Sequence, residues 1–507
     1  MSSTTVGVAP VTPAAGAGPR PAAGWNPAAV VTVAMALVAV GLQVLRLTRP
    51  GVILAGGSYD TTLYLGSAIR LVHGALPYRD FALLQPPGLV LTMSPFALVS
   101  LLTGSRGGLI VLSLCTPVLA GANVLLLGRL VAHRGWRAAL TACALLAVYP
   151  AMYEALLDGL LEPLMCLFCL LGAVLVFDGD GFAGRWRIIA GGVAFGFAVS
   201  ILVAAVVPAL VMAALWVKHP RARLLPYAGG AVVGFMAPVL PFLALAPGSL
   251  VHDTVVTQLL RVRGVTRTPL ATRLQEMTFA IPHGSVIEAL AAVLMVAAVV
   301  VGALIWARSR LGPLEWFAIG ATVVLGAAQF VIATYYAHFP AMLLPYPAIL
   351  LGFAMARLTR RRWRRLVPAV AVLAFIAAVV GLTFRFASMS SVDYGPIVDA
   401  VIPANGCSMA ENTQVLVQSD RFESTVPDCT TLVDPYSTYL VYARSPGGPL
   451  PADRLALEHT DYLVVSSNLK HFLGGPLRPL DGYVTQHFRP HHSGRLTIYV
   501  RDGFPVE

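Results

Sequence analysis

The chain has 507 residues, of which 57% are hydrophobic and only 12% are charged. A soluble domain carries about 25% charged residues, so this composition excludes an ordinary soluble enzyme. A mean hydropathy of +0.76 excludes a disordered chain. The net charge of +11 lies in short loops between apolar segments, which is typical of a membrane protein and not of a nucleic-acid-binding surface.

Residues 1–25 are rich in Ala, Pro and Gly and carry one charged side chain, Arg20, which predicts a disordered cytoplasmic tail. They lack the basic start and short apolar run of a cleaved signal peptide. Residues 26–387 alternate apolar spans with short polar loops, and about 20 apolar residues suffice to cross a bilayer. The spans cover 27–44, 88–103, 108–128, 138–152, 160–177, 188–217, 225–247, 286–307, 315–333, 341–356 and 366–386.

The basic loops predict the topology, because Lys and Arg are enriched on the cytoplasmic side. They lie at 129–137, 185–187, 218–223, 308–310 and 357–365. Since basic loops flank 188–217 on both sides, that segment must enter the membrane and return, with a break near Ser200. By the same parity, 88–102 is predicted to be a juxtamembrane or re-entrant helix. The result is about eleven crossings, with the N-terminus inside.

Residues 388–507 are mixed and polar, which predicts a small extracytoplasmic α/β domain. Strand-like runs cover 414–418, 462–466 and 496–501. Cys407 and Cys429 are its only cysteines, and a pair outside the cytoplasm indicates a disulfide; two free buried thiols are the alternative. No Gly-rich phosphate loop follows the second run, so a structural or acceptor-guiding role is expected.

The first external loop, 48–87, contains the most informative residues. Asp60 follows a Gly-Gly pair just after the first span. A carboxylate at this interface can keep its charge, face a cavity of lowered dielectric and act as a general base towards a hydroxyl. Asp60 as a helix N-cap is the alternative, and the two roles are compatible. Apolar residues at helical spacing over 63–74 predict an amphipathic helix lying on the membrane.

These features, in this order, resemble the GT-C superfamily of multi-spanning glycosyltransferases, which use polyprenyl-phosphate-linked sugars. After the acid and the amphipathic helix come Gly-x-x-Pro-Tyr-Arg-Asp at 74–80 and Pro-Pro-Gly at 86–88; Tyr-Tyr-Ala-His-Phe-Pro stands at 335–340. The resemblance covers most of the membrane portion and is strongest in 56–90. It implies a mainly α, polytopic GT-C-like domain over 26–387.

The resemblance also assigns site residues. Asp60 matches the family's catalytic acid and Asp80 a second acid of the same loop. Glu154 and Asp158 match the acids of the second external loop, and their spacing of four places them on one helix face. Position 60 lacks the adjacent acid of many members, which weakens the case for a metal there. Two positions differ where some relatives carry lysine, Gln85 and Ser200.

The predicted external loop 248–285 is unexpectedly basic, against the positive-inside tendency. It holds Arg261, Arg263, Arg267 and Arg273. Because guanidinium binds phosphate in a bidentate manner, Arg261 and Arg263, together with Arg79, are predicted to bind the donor phosphate. Arginines solvated or resting on lipid headgroups are the alternative, and it is favoured for Arg267 and Arg273.

Three residues of the late motif, Tyr335, Tyr336 and His338, are predicted to bind the donor phosphate or its sugar. An interfacial aromatic belt is the alternative.

The resemblance implies a single displacement with inversion, in which Asp60 deprotonates an acceptor hydroxyl and polyprenyl phosphate leaves. Mannose and arabinofuranose are both reasonable sugars, and the acceptor is an envelope glycan, a glycolipid or a protein. No cofactor is certain, and Mg²⁺ or Mn²⁺ at Asp60 stays open. The Lys-poor composition suggests a bacterial plasma membrane. A transporter or flippase and a non-catalytic scaffold are the competing functions; the absence of internal repeats and the external acids argue against them.

Overall fold

A computed structural model describes most of the chain and is mainly helical. The described residues are 26–55, 59–157, 161–261, 268–278, 311–332, 335–358, 366–427, 429, 432–442, 450–465 and 480–506. The predicted tail 1–25 and the predicted span 286–307 lie outside them.

The α-helices span Pro27–Leu47, Val52–Ala55, Tyr59–Val72, Pro87–Val131, Trp136–Val148, Pro150–Leu157, Leu161–Val176, Arg185–Ile201, Val206–Ala214, Leu225–Leu245, Pro247–Val251, Thr257–Arg261, Leu270–Thr278, Pro313–Val331, Pro340–Leu343, Pro345–Leu358, Leu366–Ala387, Gly395–Asp399, Thr413–Gln418, Pro435–Tyr442, Leu450–Glu458 and Asp481–His487. Short 3₁₀ turns cover Ala132–Arg134 and Val203–Ala205, and π-helical turns cover Pro220–Leu224 and His252–Val256.

Four helices of the described chain are long and apolar enough to cross a membrane: Pro27–Leu47, Pro87–Arg134, Pro220–Leu245 and Pro313–Val331. The helices Trp136–Val148 and Pro150–Leu157, bent by 47°, together pass the same test. Shorter apolar helices accompany them. The protein is therefore a polytopic membrane protein, while the number of eleven crossings stays a prediction.

The long helix Pro87–Val131 is two helices that meet at Gly104. Gly104 has φ 77°, a left-handed conformation that glycine adopts without strain. Beyond it the chain folds back, because a Cβ atom added at Gly108 would lie 2.9 Å from the carbonyl oxygen of Phe96. The predicted re-entrant segment 88–102 is thus one arm of a helical hairpin. Its relation to a bilayer stays a prediction.

The structure confirms the predicted break near Ser200. Helix Arg185–Ile201 ends there, and the chain turns back through Val206–Ala214. The return is complete at Trp216, whose ring lies 5.0 Å from that of Phe182, just before the outgoing helix.

Basic loops meet at one end of the helical bundle. Arg134 donates to the buried carboxylate of Glu315 at 2.7 Å, and Arg357 lies 3.7 Å from the same carboxylate. The loops around these two arginines therefore share a side, as the sequence predicts.

The C-terminal part forms a four-stranded mixed sheet. Its spatial order is Ser408–Ala410, Tyr462–Val465, Leu496–Arg501 and Phe488–Ser493; the first pair is parallel and the other two are antiparallel. The strands at 462–466 and 496–501 are confirmed. The strand at 414–418 is wrong, because Asn412 caps a buried helix, Thr413–Gln418, by accepting a hydrogen bond from the amide of Gln414. A separate two-stranded hairpin pairs Phe177–Asp178 with Gly181–Phe182.

The sheet domain is attached to the hairpin at Gly104. Arg106 forms an ion pair with Asp393 at 2.7 Å, and its backbone amide donates to Asp420 at 2.8 Å. The predicted disulfide between Cys407 and Cys429 is confirmed. The four remaining cysteines lie in the membrane helices as free thiols, as expected.

Candidate functional site

Asp60 lies in the first turn of helix Tyr59–Val72, where the helix dipole favours negative charge. The next residue, Thr61, donates a hydrogen bond to the carbonyl oxygen of Leu157 at 2.7 Å. Leu157 ends the second-loop helix that carries Glu154, and Asp158 follows it outside the described residues. The fold therefore brings the two acid-bearing loops together at Thr61 and Leu157.

A buried arginine joins these two loops. Arg46, in the last turn of the first helix, is only 2% exposed and donates to the carbonyl oxygen of Tyr153 at 2.7 Å. With Thr61, Thr116 and Leu157 it lines a cavity. Sequence analysis missed Arg46, because an arginine that ends an apolar helix ordinarily extends to the membrane surface. Only the fold turns it inward.

Glu154 has a specific partner in this region. Its carboxylate forms an ion pair with Arg385, near the end of the last apolar helix. That helix also packs on the second loop through Tyr153 and Phe386, whose rings lie 5.2 Å apart. The segment leading into the C-terminal domain therefore contacts the same end of the bundle.

The predicted helix at 63–74 is present, but the expectation that its apolar residues rest on lipid is wrong. In helix Tyr59–Val72 every residue from Thr61 to Ile69 is buried. The helix packs against Pro87–Val131 on one side, while Phe422 of the C-terminal domain covers Gly66 and stacks under Arg70, 5.4 Å from ring centroid to guanidinium carbon. The apolar pattern is the same for burial against protein as for burial against lipid.

The C-terminal domain also reaches the residue before Asp60. The hydroxyl of Tyr59 hydrogen-bonds the carboxylate of Asp434, which is 2% exposed and also accepts from the amide of Ser437 at 2.9 Å. The first turn around Asp60 is thus held by both the membrane helices and the C-terminal domain.

Asp80 lies in a compact loop that its own side chain stabilises. It accepts two hydrogen bonds from Arg79 at 2.8 Å and one from the amide of Leu76 at 2.7 Å. The bonds from Arg79 and then from Leu76 outweigh partial burial and lower the pKa of Asp80. Tyr78 has φ 67°, and its hydroxyl donates to the carbonyl oxygen of Gln85 at 2.6 Å. The guanidinium of Arg79 is therefore paired with the carboxylate of Asp80.

This loop rests on an acid that sequence analysis did not select. Asp253 is 3% exposed, 3.3 Å from the ring of His252 and 3.5 Å from the amide of Leu83. Burial raises the pKa of Asp253 to about 6, against smaller opposing effects of His252 and the Leu83 amide. The only available sequence signal was that Asp253 is one of two acids in a basic loop.

Most of the predicted phosphate-binding arginines have side chains outside the described residues. The backbone of Arg261 ends helix Thr257–Arg261, its side chain lies outside the described part, and so do Arg263 and Arg267. Arg273 is 3% exposed and donates to the carbonyl oxygens of Thr268 and Gln329 at 3.0 and 2.7 Å. These bonds assign Arg273 to the structure of the loop, so the alternative favoured for it, a solvated or headgroup-bound side chain, is wrong.

The late aromatic motif lies beside the second loop, with Tyr335 and His338 buried and Tyr336 exposed. His338 is 8% exposed, with its Nε2 atom 3.6 Å from the carboxylate of Glu162, and its ring stacks on that of Tyr336 at 5.5 Å. Tyr335 lies under the guanidinium of Arg273 at 5.5 Å. In the described ranges, no three His, Cys, Asp or Glu side chains come close enough together to hold a metal ion.

The architecture is a helical membrane bundle with acid-bearing loops at one end and a small α/β domain attached there. Neither protein-family models nor curated protein sequences match this chain.

Solved structures do match. ArnT from Cupriavidus metallidurans, bound to undecaprenyl phosphate, has a TM-score of 0.56 at 15% identity, covering 93% of this chain and 97% of that one. Its apo state gives 0.56 at 13% identity with the same coverage. The Archaeoglobus fulgidus oligosaccharyltransferase, tethered to an acceptor peptide, gives 0.52 at 13% identity over 87% and 69%. This chain therefore shares its fold with these two membrane proteins.

Proposed function

We propose that the protein is a glycosyltransferase that moves a sugar from a polyprenyl-phosphate donor to an acceptor hydroxyl. One observation carries the proposal: the first helical turn, which contains Asp60, contacts the second acid-bearing loop through the hydrogen bond from Thr61 to Leu157. The buried side chain of Arg46 binds the same loop at Tyr153. With both groups at one end of the helical bundle, the carboxylate can remove a proton and the guanidinium can bind a departing phosphate.

In the proposed step, Asp60 takes the proton of the acceptor hydroxyl as its oxygen bonds to the anomeric carbon. The bond from that carbon to the phosphate oxygen breaks, and its electron pair leaves on polyprenyl phosphate. One such displacement inverts the anomeric carbon. Arg46 joins Arg261 and Arg263 as a proposed phosphate ligand, because it lies in the cavity beside the Asp60 turn. We propose that Glu154 and Asp158 act on the acceptor.

The hydrogen bonds within the Asp80 loop suggest that Asp80 is not a catalytic acid and that Arg79 does not bind the donor phosphate. Both carboxylate oxygens of Asp80 accept hydrogen bonds within the loop. We therefore propose that the pair fixes the loop that leads to the Pro-Pro-Gly segment. Mannose and arabinofuranose remain the proposed sugars, a bacterial plasma membrane the proposed location, and its outer face the proposed side of the reaction.

The test uses wild type, Asp60→Asn and the matched control Asp178→Asn, each in lipid vesicles. Asp178 is 73% exposed and lies at the opposite, basic end. Release of polyprenyl phosphate is measured from a panel of polyprenyl-phosphate sugars with an envelope extract as acceptor. We expect wild type and control to release it equally and Asp60→Asn to be about 100-fold slower or worse.

Equal release by Asp60→Asn would remove this acid from the mechanism. Folded wild type that releases nothing from any donor would favour transport or scaffolding. Repeating the wild-type assay with a chelator decides on a divalent metal: an unchanged rate excludes one, and a loss restored by Mg²⁺ or Mn²⁺ requires one.

A further inference from the structure

A buried polar cluster lies beside the second loop and plays no part in the proton transfer proposed above. Its members are Glu162, Arg273, Glu276, Gln329, Tyr335 and His338. They come from three separate parts of the chain: the start of helix Leu161–Val176, the helix Leu270–Thr278, and the segment that runs from the end of Pro313–Val331 into the late motif.

Three polar atoms in this cluster are buried and have no hydrogen-bond partner among the described residues. They are the hydroxyl of Tyr335, Oε2 of Glu276 and Oε1 of Gln329. Tyr335 is 5% exposed and Gln329 is 1% exposed. Buried polar atoms are almost always hydrogen-bonded, so three unsatisfied ones in one place indicate a ligand.

The residues that carry these atoms are grouped around Arg273. The guanidinium of Arg273 lies over the ring of Tyr335 and donates to the backbone of Gln329. Burial raises the pKa of the Tyr335 hydroxyl, and the nearby Glu276 carboxylate raises it further. Burial also raises the pKa of Glu276, against the opposing charges of His338 and Arg273. Glu276 therefore lies near enough to Tyr335 and His338 for their charges to interact.

The charges in the cluster favour a neutral ligand over a phosphate. Two carboxylates, Glu162 and Glu276, would repel an anion, and the Nε and Nη1 atoms of Arg273 are already bonded to backbone carbonyls. Carboxylate and amide oxygens accept hydrogen bonds from hydroxyl groups. A neutral, hydroxyl-rich ligand can therefore donate hydrogen bonds to Glu276 and Gln329 and exchange one with the hydroxyl of Tyr335.

We propose that this cluster binds the hydroxyl groups of a sugar ring, with Glu276, Gln329 and Tyr335 as its direct partners. This inference rests on the proposed glycosyl transfer and deepens it: His338 and Tyr335 belong to a sugar pocket and not to the phosphate site. The pocket lies within reach of the proposed reaction centre, because Glu162 follows Leu157 by five residues, at most about 18 Å of chain.

The test compares wild type with Glu276→Gln, Tyr335→Phe and the control Glu458→Gln. Glu458 belongs to an exposed ion pair in the C-terminal domain. Direct binding is measured for a polyprenyl-phosphate sugar and for bare polyprenyl phosphate, and the acceptor KM is measured in the transfer assay. Thermal unfolding midpoints verify that each variant is folded.

If the pocket holds the donor sugar, both variants weaken binding of the sugar-bearing lipid about tenfold or more, while bare polyprenyl phosphate binds as before. If it holds an acceptor sugar, the acceptor KM rises by a similar factor and donor binding stays unchanged. Either result supports the pocket.

Equal weakening for the two lipids would make the cluster a phosphate site, and no change in any arm would leave it filled by water; both results overturn the inference. Failure of the proposed function is distinguishable, since it appears as wild type that releases no polyprenyl phosphate, whatever the variants do.

Discussion

Gly88, in the Pro-Pro-Gly segment, lies in the first turn of the hairpin helix. It contacts the helix end near Ser200. A Cβ atom added at Gly88 would lie 2.6 Å from the carbonyl oxygen of Ser200 and closer still to its hydroxyl. Ordinary contact begins at 3.4 Å, so Gly88→Ala forces the two helices apart by about 0.8 Å, the difference of these distances. Overpacking of this kind costs about 1–3 kcal/mol.

Gly229→Ala is the matched control, because a Cβ atom there meets nothing within 4 Å. The same substitution in an open helical position gains up to about 1 kcal/mol. We expect the thermal unfolding midpoint in lipid nanodiscs to fall for Gly88→Ala and to hold or rise for Gly229→Ala. Equal midpoints would refute the close-contact argument.

A second variant separates the two atoms of Ser200. Ser200→Ala removes the hydroxyl but keeps the carbonyl oxygen 2.6 Å from the added methyl group. The double variant should therefore remain less stable than Ser200→Ala alone. Full recovery in the double variant would show that the side chain, and not the backbone, requires glycine at this position.

Three further substitutions test the site. Tyr59→Phe removes a hydrogen bond to the buried Asp434, and we expect amide hydrogen exchange in the first turn around Asp60 to accelerate about tenfold; unchanged exchange would contradict the anchoring role. Because burial raises the pKa of Asp253 from 3.8 to about 6, the folded state holds its proton more tightly. The stability should thus fall by about 2 kcal/mol as pH rises from 4 to 6, and Asp253→Asn should abolish this fall in unfolding midpoints. Asp80→Asn should slow transfer by no more than about fivefold, since its ion pair is exposed; a hundredfold loss would return Asp80 to the chemistry.

Local patterns predicted much of this protein. Apolar spans, basic loops and charge at both ends of 188–217 predicted a polytopic protein with a returning segment, because bilayer thickness and charge asymmetry act on short stretches of sequence. The disulfide could also be predicted, because Cys407 and Cys429 are the only two cysteines outside the membrane part.

Tertiary structure decided what local patterns leave ambiguous. The helix at Asp60 is apolar at helical spacing, which suits lipid and protein equally, and only Phe422 from far along the chain shows that protein covers it. Arg46 looks like a surface residue until the second loop folds over it. The sugar pocket joins Glu162, Glu276 and Tyr335 across more than 170 residues of sequence, and such long-range contacts leave no periodic signal. The sequence by itself determined the class of protein and the acids worth testing, while the positions of these acids relative to one another came only from packing.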